Sequence, residues 1–294
     1  MPTALMEWRL IEDLERQMIT DRMLGLLTRI PGARSLWCRF PIGPVDLRVR
    51  FGIWNRPHYA YGVYSAADLA KRLGLNGITV IEMGVAGGEG LLSLEEIATA
   101  VGTAAGIQID VVGFDSGVGM PPPVDYRDLP HVWSEGFYKM DQDKLKAKLS
   151  KAELVLGEIR ETIPSWKARC RFPIGFVAFD LDYYTSTMSA FGLFDSPGRD
   201  CHLPRVYCYF DDTIWPERAC HNEFTGELLA IREFNEAGDK KICPLHLLRH
   251  MRIHPAPWND QIYVLHDFKH ALYCRNVTPS GETYNQLPIV DSGR

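Results

Sequence analysis

Seven short apolar runs, separated by stretches of helical periodicity, constrain this chain more than any other feature. They are ITVIEMG (78–84), IDVVGFD (109–115), AELVLGE (152–158), GFVAFDLD (175–182), RVYCYFDD (205–212), KICPLH (241–246) and QIYVLHDF (261–268). Runs of this length and apolarity read as strands buried on both faces. Between them, 91–101, 144–151 and 223–236 read as helices, the rhythm of a parallel sheet with crossover connections. The expected fold is α/β, a doubly wound, mostly parallel seven-stranded sheet of Rossmann-like type. Residues 1–75 are expected to form an N-terminal helical and aromatic cap, and 76–294 the ligand-binding domain.

Within the cap, Ala4 to Leu27 spaces Leu and Met by three and four among charges, which predicts an amphipathic helix ending near Pro31-Gly32. From Leu36 to Tyr64 the chain is aromatic and basic without helical or alternating order, so an irregular cover is expected there. Such a surface suits a lid or a subunit contact, the latter making the protein a homo-oligomer. A further helix is expected over Ser65 to Leu73, with Ser65 as its cap.

At 294 residues and 46% hydrophobic content the chain can bury a full core. A net charge of −5, without long runs of one sign, gives no footprint for nucleic acid. No apolar stretch is long enough for a membrane span, and MPTALMEWRLIEDLERQM carries acids where a signal peptide would be apolar. A cytoplasmic location follows as an expectation. The seven cysteines (38, 170, 201, 208, 220, 243, 274) contain no CxxC pair and read as reduced thiols.

The first run leads into Glu82-Met83-Gly84-Val85-Ala86-Gly87-Gly88-Glu89-Gly90, a glycine-rich loop opening a helix. Its spacing, ExGxxGGxG, differs from the GxGxxG that seats a pyrophosphate. The shift favours a nucleoside without phosphates, and S-adenosylmethionine (SAM) is such a ligand. Its carboxylate wants amides, its amino group carbonyls or an acid, and its ribose diol a carboxylate. Glu82, Gly84, Val85, Gly87, Gly88 and Gly90 are the candidates from the loop, with Asp115 placed for the diol and Ser116 beside it. Gly157 and Glu158, ending the third run, and Asp180, ending the fourth, join the same set.

Asp180 and Asp182 end the fourth run, and Asp211 and Asp212 end the fifth. Strand alternation would put the first pair on one face, and a parallel neighbour would bring the second pair alongside. Carboxylates so crowded repel unless a cation lies between them. A hard divalent ion, most simply Mg2+, takes oxygen ligands, and would lower the pKa of a hydroxyl on a small-molecule acceptor. Asp180, Asp211 and Asp212 are assigned to the metal and Asp182 to the proton acceptor, with the order inside the quartet left open.

The segments VIEMGVAGGEG, GFD, VLGEIRETIP (155–164), DLDYYTST (180–187) and YFDD (209–212) together resemble the macrocin O-methyltransferase family, over roughly residues 78–240. That resemblance implies a class I methyltransferase fold, SAM and Mg2+ as cofactors, and a sugar hydroxyl as acceptor. The family's metal ligands fall on Asp180, Asp211 and Asp212. Leu181 stands where the family has glycine, and HLPR (202–205) where it has a Gly-Gly turn. Within the insert 120–141, Tyr126, Asp128 and His131 are candidates for contacting acceptor or cofactor, His131 as a catalytic group.

Two other functions use part of this pattern. An NAD(P)-dependent oxidoreductase would use the glycines and Asp115 but leaves DLD and FDD idle, and a non-catalytic SAM-binding subunit would bind cofactor without metal. His246, His250 and His254 recur every four residues near Cys243, but Pro244 and Pro255 interrupt any helix carrying them, and no zinc is expected. The helix 221–236 is read as packing through Phe224, Leu228, Leu229, Ile231 and Phe234, with ligand contact by Glu223 or Glu227 as the lesser reading.

Overall fold

The computed structural model describes residues 22–195 and 201–278. Of the expected N-terminal helix, 22–27 is helical and the remainder lies outside the described residues. The stretch read as irregular instead contains three helices, α1 (Ala33–Arg39), α2 (Val45–Phe51) and α3 (Pro57–Arg72). Pro57 starts α3 at a position where its missing N–H is not needed, so Ser65 lies inside the helix rather than capping it. The tyrosines at 59, 61 and 64 hid this helix, since only Tyr59 is fully buried, along with Ala60, Val63, Ala66, Ala67 and Ala70, while Tyr61 and Tyr64 are half-buried. Gly62 lets α3 settle on the sheet: a Cβ there would stand 2.2 Å from the Phe176 ring.

The strands are β1 (Gly77–Met83), β2 (Gln108–Asp115), β3 (Glu153–Leu156), β4 (Ile174–Phe179), β5 (His202–Phe210), β6 (Lys241–Pro244) and β7 (Ile262–His266). All seven expected runs form strands of one sheet in the order β3-β2-β1-β4-β5-β7-β6. Every pairing from β3 to β5 is parallel, while β7 runs antiparallel to both β5 and β6. The connecting helices are α4 (Glu89–Ala105), α5 (Gln142–Lys148), α6 (Ile159–Lys167), α7 (Tyr184–Ala190), α8 (Gly226–Ala237) and the short α9 (Leu248–Met251).

Helices cover both faces, and alternation along the strands sorts the core accordingly. Ile78, Val80, Phe176 and Ala178 pack with α3 and α4, whereas Ile81, Met83, Val177 and Phe179 pack with α6, α7 and α8. This is the doubly wound α/β architecture read from the sequence. Its strand order reverses between β1 and β4, and in such sheets the crevice outside the carboxyl ends at that point receives ligands. Among the described residues no helix is long and apolar enough to cross a membrane.

Candidate active site

A cavity of about 420 Å³ opens at the switch point, walled by Gly84, Ala86, Phe114, Asp115, Ser116, Gly157 and Glu158 on one side and by Asp180, Asp182, Asp211 and Asp212 on the other. A hollow of about 520 Å³ at the amino edge of β1 to β3 is larger, but no comparable cluster of carboxylates converges there. There Arg169 pairs with Glu153, and Glu95 accepts the backbone N–H groups of Ser150, Lys151 and Ala152.

The glycine loop is shaped by what surrounds it. Gly84 has φ 83°, and a Cβ on it would stand 1.9 Å from the carbonyl oxygen of Asp180. A side chain is therefore excluded both by backbone conformation and by the close approach of β1 to the turn after β4. Asp115 ends β2, and its Oδ2 accepts the N–H groups of Val85 and Ala86, both at 2.9 Å, while Oδ1 accepts Gly117 N–H at 2.6 Å. Much of its acceptor capacity thus builds the loop. Ser116 Oγ donates to the Gly119 carbonyl at 2.8 Å. Glu158 lines the cavity just after β3, and its side chain makes no capping bond to α6. Gly157 precedes it, and its N–H donates to the Asp115 carbonyl at 2.9 Å.

The other loop candidates lie around this wall rather than in it. Val85 is buried, and Gly87 is exposed with nothing within 4 Å of a Cβ. Gly88 caps α4 against Leu145, and Gly90 gives room to Glu82. Glu82 is 2% exposed and does not line the cavity: Tyr59 of α3 donates its hydroxyl to Oε1 at 2.6 Å. Burial pushes the Glu82 carboxyl up to about 7, against a lowering influence from the Tyr59 bond and the Arg56 guanidinium. Burial alone would lower Arg56, but Tyr59, Glu82, Asp180 and Asp211 outweigh it and leave it raised.

That raised carboxyl carries a stability prediction. Its protonated form favours the fold, so the contribution is complete below about 4.5 and is lost as pH rises through about 7. The loss amounts to at most about 3 kcal/mol. Glu82→Gln keeps the acceptor for Tyr59 without the charge, so the ligand-free variant should lose less Tm than wild type between pH 5 and 8, by roughly 5–10 °C. Melting curves with parallel pH dependence in the two proteins would contradict the assignment.

The carboxylates converge, although the pleat does not bring them together. β4 ends at Phe179, so Asp180 and Asp182 lie in the turn beyond it, with Asp182 left-handed at φ 59°. Asp211 and Asp212 lie in a 3-10 turn following β5. Asp182 N–H donates to Asp212 Oδ2 at 2.9 Å, Tyr209 donates its hydroxyl to Asp211, and Gln261 donates to the Asp211 carbonyl at 2.6 Å. One oxygen each of Asp180, Asp211 and Asp212 lie within 4.8 Å of one another. Around a Mg2+ ion oxygens stand about 2.9 Å apart when adjacent and about 4.1 Å when opposite, so the three would draw together to share one ion.

Burial and mutual repulsion hold Asp180 and Asp212 well above the usual carboxylate range, and burial with the Asp180 charge lifts Asp182 to about 7. The donor set is hard, anionic and partly dehydrated, which suits a divalent cation. Behind it stands Glu227 of α8, fully buried, its Oε2 accepting Asp212 N–H at 3.0 Å. Burial and the charge of Asp212 raise Glu227 well above its ordinary value. Glu223 is exposed ahead of α8, and so is Phe224, which the sequence placed on the packing stripe.

The insert 120–141 departs from expectation at its candidate residues. His131 is exposed and does not line the cavity. Leu129 and Trp133 bury themselves against Tyr183 and Ala219, with Val132 packed alongside, which leaves Pro130 and His131 on the outside of the turn. Asp128 is fully buried and ties the insert to α7, accepting Val124 N–H at 2.9 Å and Thr185 N–H at 2.9 Å. Tyr126 is exposed outside the cavity. The insert's contributions to the wall are instead Met120, Pro121, Trp133 and Tyr138, faced by Trp215, Pro216 and Arg218 from the loop after β5. No motif marks these rim residues, so spacing alone could not single them out.

No protein-family model matches the chain, and no curated protein matches it. Solved structures that resemble it include CalS11, a calicheamicin methyltransferase, at 21% identity over 86% of this chain and 92% of that one, with a TM-score of 0.47. The O-methyltransferase NovP is 12% identical over 71% of this chain and 79% of its own, with a TM-score of 0.46. An O-methyltransferase from Bacillus cereus in complex with SAH is 12% identical over 69% and 78%, with a TM-score of 0.35.

Proposed function

We propose that the protein is a SAM-dependent O-methyltransferase that uses a divalent cation, most simply Mg2+, to hold a hydroxyl of a small molecule. The observation that carries this reading is the three-carboxylate cluster of Asp180, Asp211 and Asp212 sharing one cavity with the glycine loop. Neither half explains the other: a nucleoside site needs no such cluster, and a lone cation site needs no glycine loop after β1.

Gly84 and Ala86, with Asp115, Ser116, Gly157 and Glu158, form the side suited to the cofactor. SAM supplies an electrophilic methyl group on its sulfonium. Because Asp115 already accepts three backbone N–H groups, of about four lone-pair sites it has about one left. Glu158 is therefore the carboxylate free to take the ribose diol. Glu158→Ala should weaken SAM binding by roughly ten- to a hundredfold, the worth of a hydrogen bond to a charged acceptor. Calorimetry on the variant checks this, and unchanged affinity would return the diol to Asp115.

Asp180, Asp211 and Asp212 would hold the cation, which supplies a lowered pKa to a hydroxyl placed against it. Asp182 lines the same cavity beside these three carboxylates, where it would accept the hydroxyl proton and pass it to solvent after methyl transfer. Trp133, Tyr138, Trp215 and Pro216 border the mouth with flat apolar surfaces, which suits an acceptor with a ring, such as a sugar of a natural product. Holding donor and acceptor in line supplies much of the acceleration.

The deciding experiment incubates the purified protein with methyl-labelled SAM and a fractionated extract of small molecules, with Mg2+ or with EDTA. Label should enter a hydroxylated product only when Mg2+ is present. Binding of NADH, detected by fluorescence, with no binding of SAM would overturn the proposal in favour of an oxidoreductase.

A further inference from the structure

Glu227 is an expensive residue to bury. It is fully enclosed in the first turn of α8, and its Oε1 has no hydrogen-bond partner among the described residues. No Lys or Arg among them forms an ion pair with it, and the charged groups that bear on it most are Asp212, Asp211 and Asp180. An acid near a helix start complements the helix dipole equally well from the surface, so that role does not account for the burial. What burial achieves here is reach: Oε2 accepts the backbone N–H of Asp212 at 3.0 Å, across 15 residues of sequence.

That contact falls on the backbone that aims two of the three converging carboxylates. Asp212 has φ −93° and ψ 43°, outside helical values, so the 3-10 turn is kinked where Glu227 grips it. From the opposite side Gln261 Nε2 donates to the carbonyls of Phe210 at 3.2 Å and Asp211 at 2.6 Å. The turn is thus held at its amide by α8 and at its carbonyls by the segment before β7. Its own side chain extends the linkage, since Asp212 Oδ2 accepts Asp182 N–H at 2.9 Å. One buried carboxylate therefore bears on the aim of Asp212 and, through it, on the turn that carries Asp182.

We infer that Glu227 is a positioning residue for the cation: by accepting the Asp212 N–H it fixes the direction of the Asp211 and Asp212 carboxylates and so sets the affinity of the cluster for a divalent ion. The inference rests on the cation-binding part of the proposed function. Residues that orient metal ligands without touching the metal commonly change affinity by about ten- to a hundredfold when removed.

The test uses Mn2+ as probe, followed by electron paramagnetic resonance on the purified full chain, with SAM affinity and Tm measured alongside. Glu227→Met has the length of the side chain without its acceptor, and replaces a buried acid that has no ion-pair partner among the described residues by an apolar group, a change often neutral or favourable to stability. It should lower Mn2+ affinity about tenfold or more while SAM affinity and Tm hold. Glu227→Gln retains an acceptor oxygen and should stay within about threefold of wild type. Glu227→Asp keeps the carboxyl but falls one methylene short of the Asp212 N–H, so it should resemble the Met variant and gives the same reading if the latter does not fold. Wild-type Mn2+ affinity in both the Met and Asp variants would overturn the inference, as would a Gln variant as weak as Met. Failure of the wild-type protein to bind Mn2+ would instead overturn the cation reading itself.

Discussion

Asp211→Asn is expected to abolish turnover, on the order of a thousandfold, while SAM affinity stays within experimental error of wild type. The variant is close to isosteric, and its amide oxygen can still accept the Tyr209 hydroxyl, so the 3-10 turn should survive. What disappears is one of the three negative charges converging within 4.8 Å. If the cation contributes several kcal/mol to the reaction, weakening its site should cost about a factor of ten for each 1.4 kcal/mol lost. Excess Mg2+ should restore part of the rate, because the loss is one of affinity. Calorimetry with SAM and initial rates over a Mg2+ series check both halves. Equal loss of cofactor binding and rate would contradict the division of the cavity into a cofactor side and a cation side.

Gly84→Ala is expected to have the largest effect on the fold. Two penalties combine at this position: a left-handed φ of 83°, and a methyl group forced to 1.9 Å from the Asp180 carbonyl oxygen. The conformation costs about 1–2 kcal/mol and the overpacking about 1–3 kcal/mol. Together they are a large share of the roughly 5–15 kcal/mol that holds a typical domain, so Tm should fall by roughly 10 °C. Gly87→Ala is the control, since that residue has no positive φ and nothing within 4 Å of a Cβ. Its Tm should stay within about 2 °C of wild type. Similar Tm values for the two variants would mean that β1 and the turn after β4 do not approach as described.

How far the sequence foretold this molecule differs from one level to the next. The sheet was legible because each strand is a compact apolar run, and burial on both faces writes itself into composition. Boundaries slipped wherever a strand begins or ends in polar or irregular residues: β5 starts at His202, three residues before the expected RVYCYFDD. The cap was misread because α3 presents aromatics on several sides, so its periodicity is carried by alanines that draw no notice. The convergence of Asp180, Asp211 and Asp212 was anticipated, but through alternation along the strands, whereas two tight turns produce it.

The supports of the site were much less visible. Glu227 was read with little weight as a ligand contact, and nothing local in EFTGELLA indicates that it reaches back to Asp212. Gln261 likewise acts through contacts that exist only once β7 lies beside β5. His131 illustrates the reverse case, a chemically attractive side chain that is exposed while its neighbours Leu129 and Trp133 are the ones the core requires. Motifs advertise residues that meet ligands, whereas residues that aim them answer only to tertiary geometry.

The hydroxyl of Tyr59, donated to Glu82 beneath the glycine loop, bears on how this protein could be rebuilt. A segment that supplies a hydrogen bond to the strand leading into the glycine loop is not an interchangeable accessory. Chimeras exchanging the region before β1 should therefore join upstream of Arg56 and retain the tyrosine. A junction placed at residue 75 would strand an uncompensated acid inside the protein.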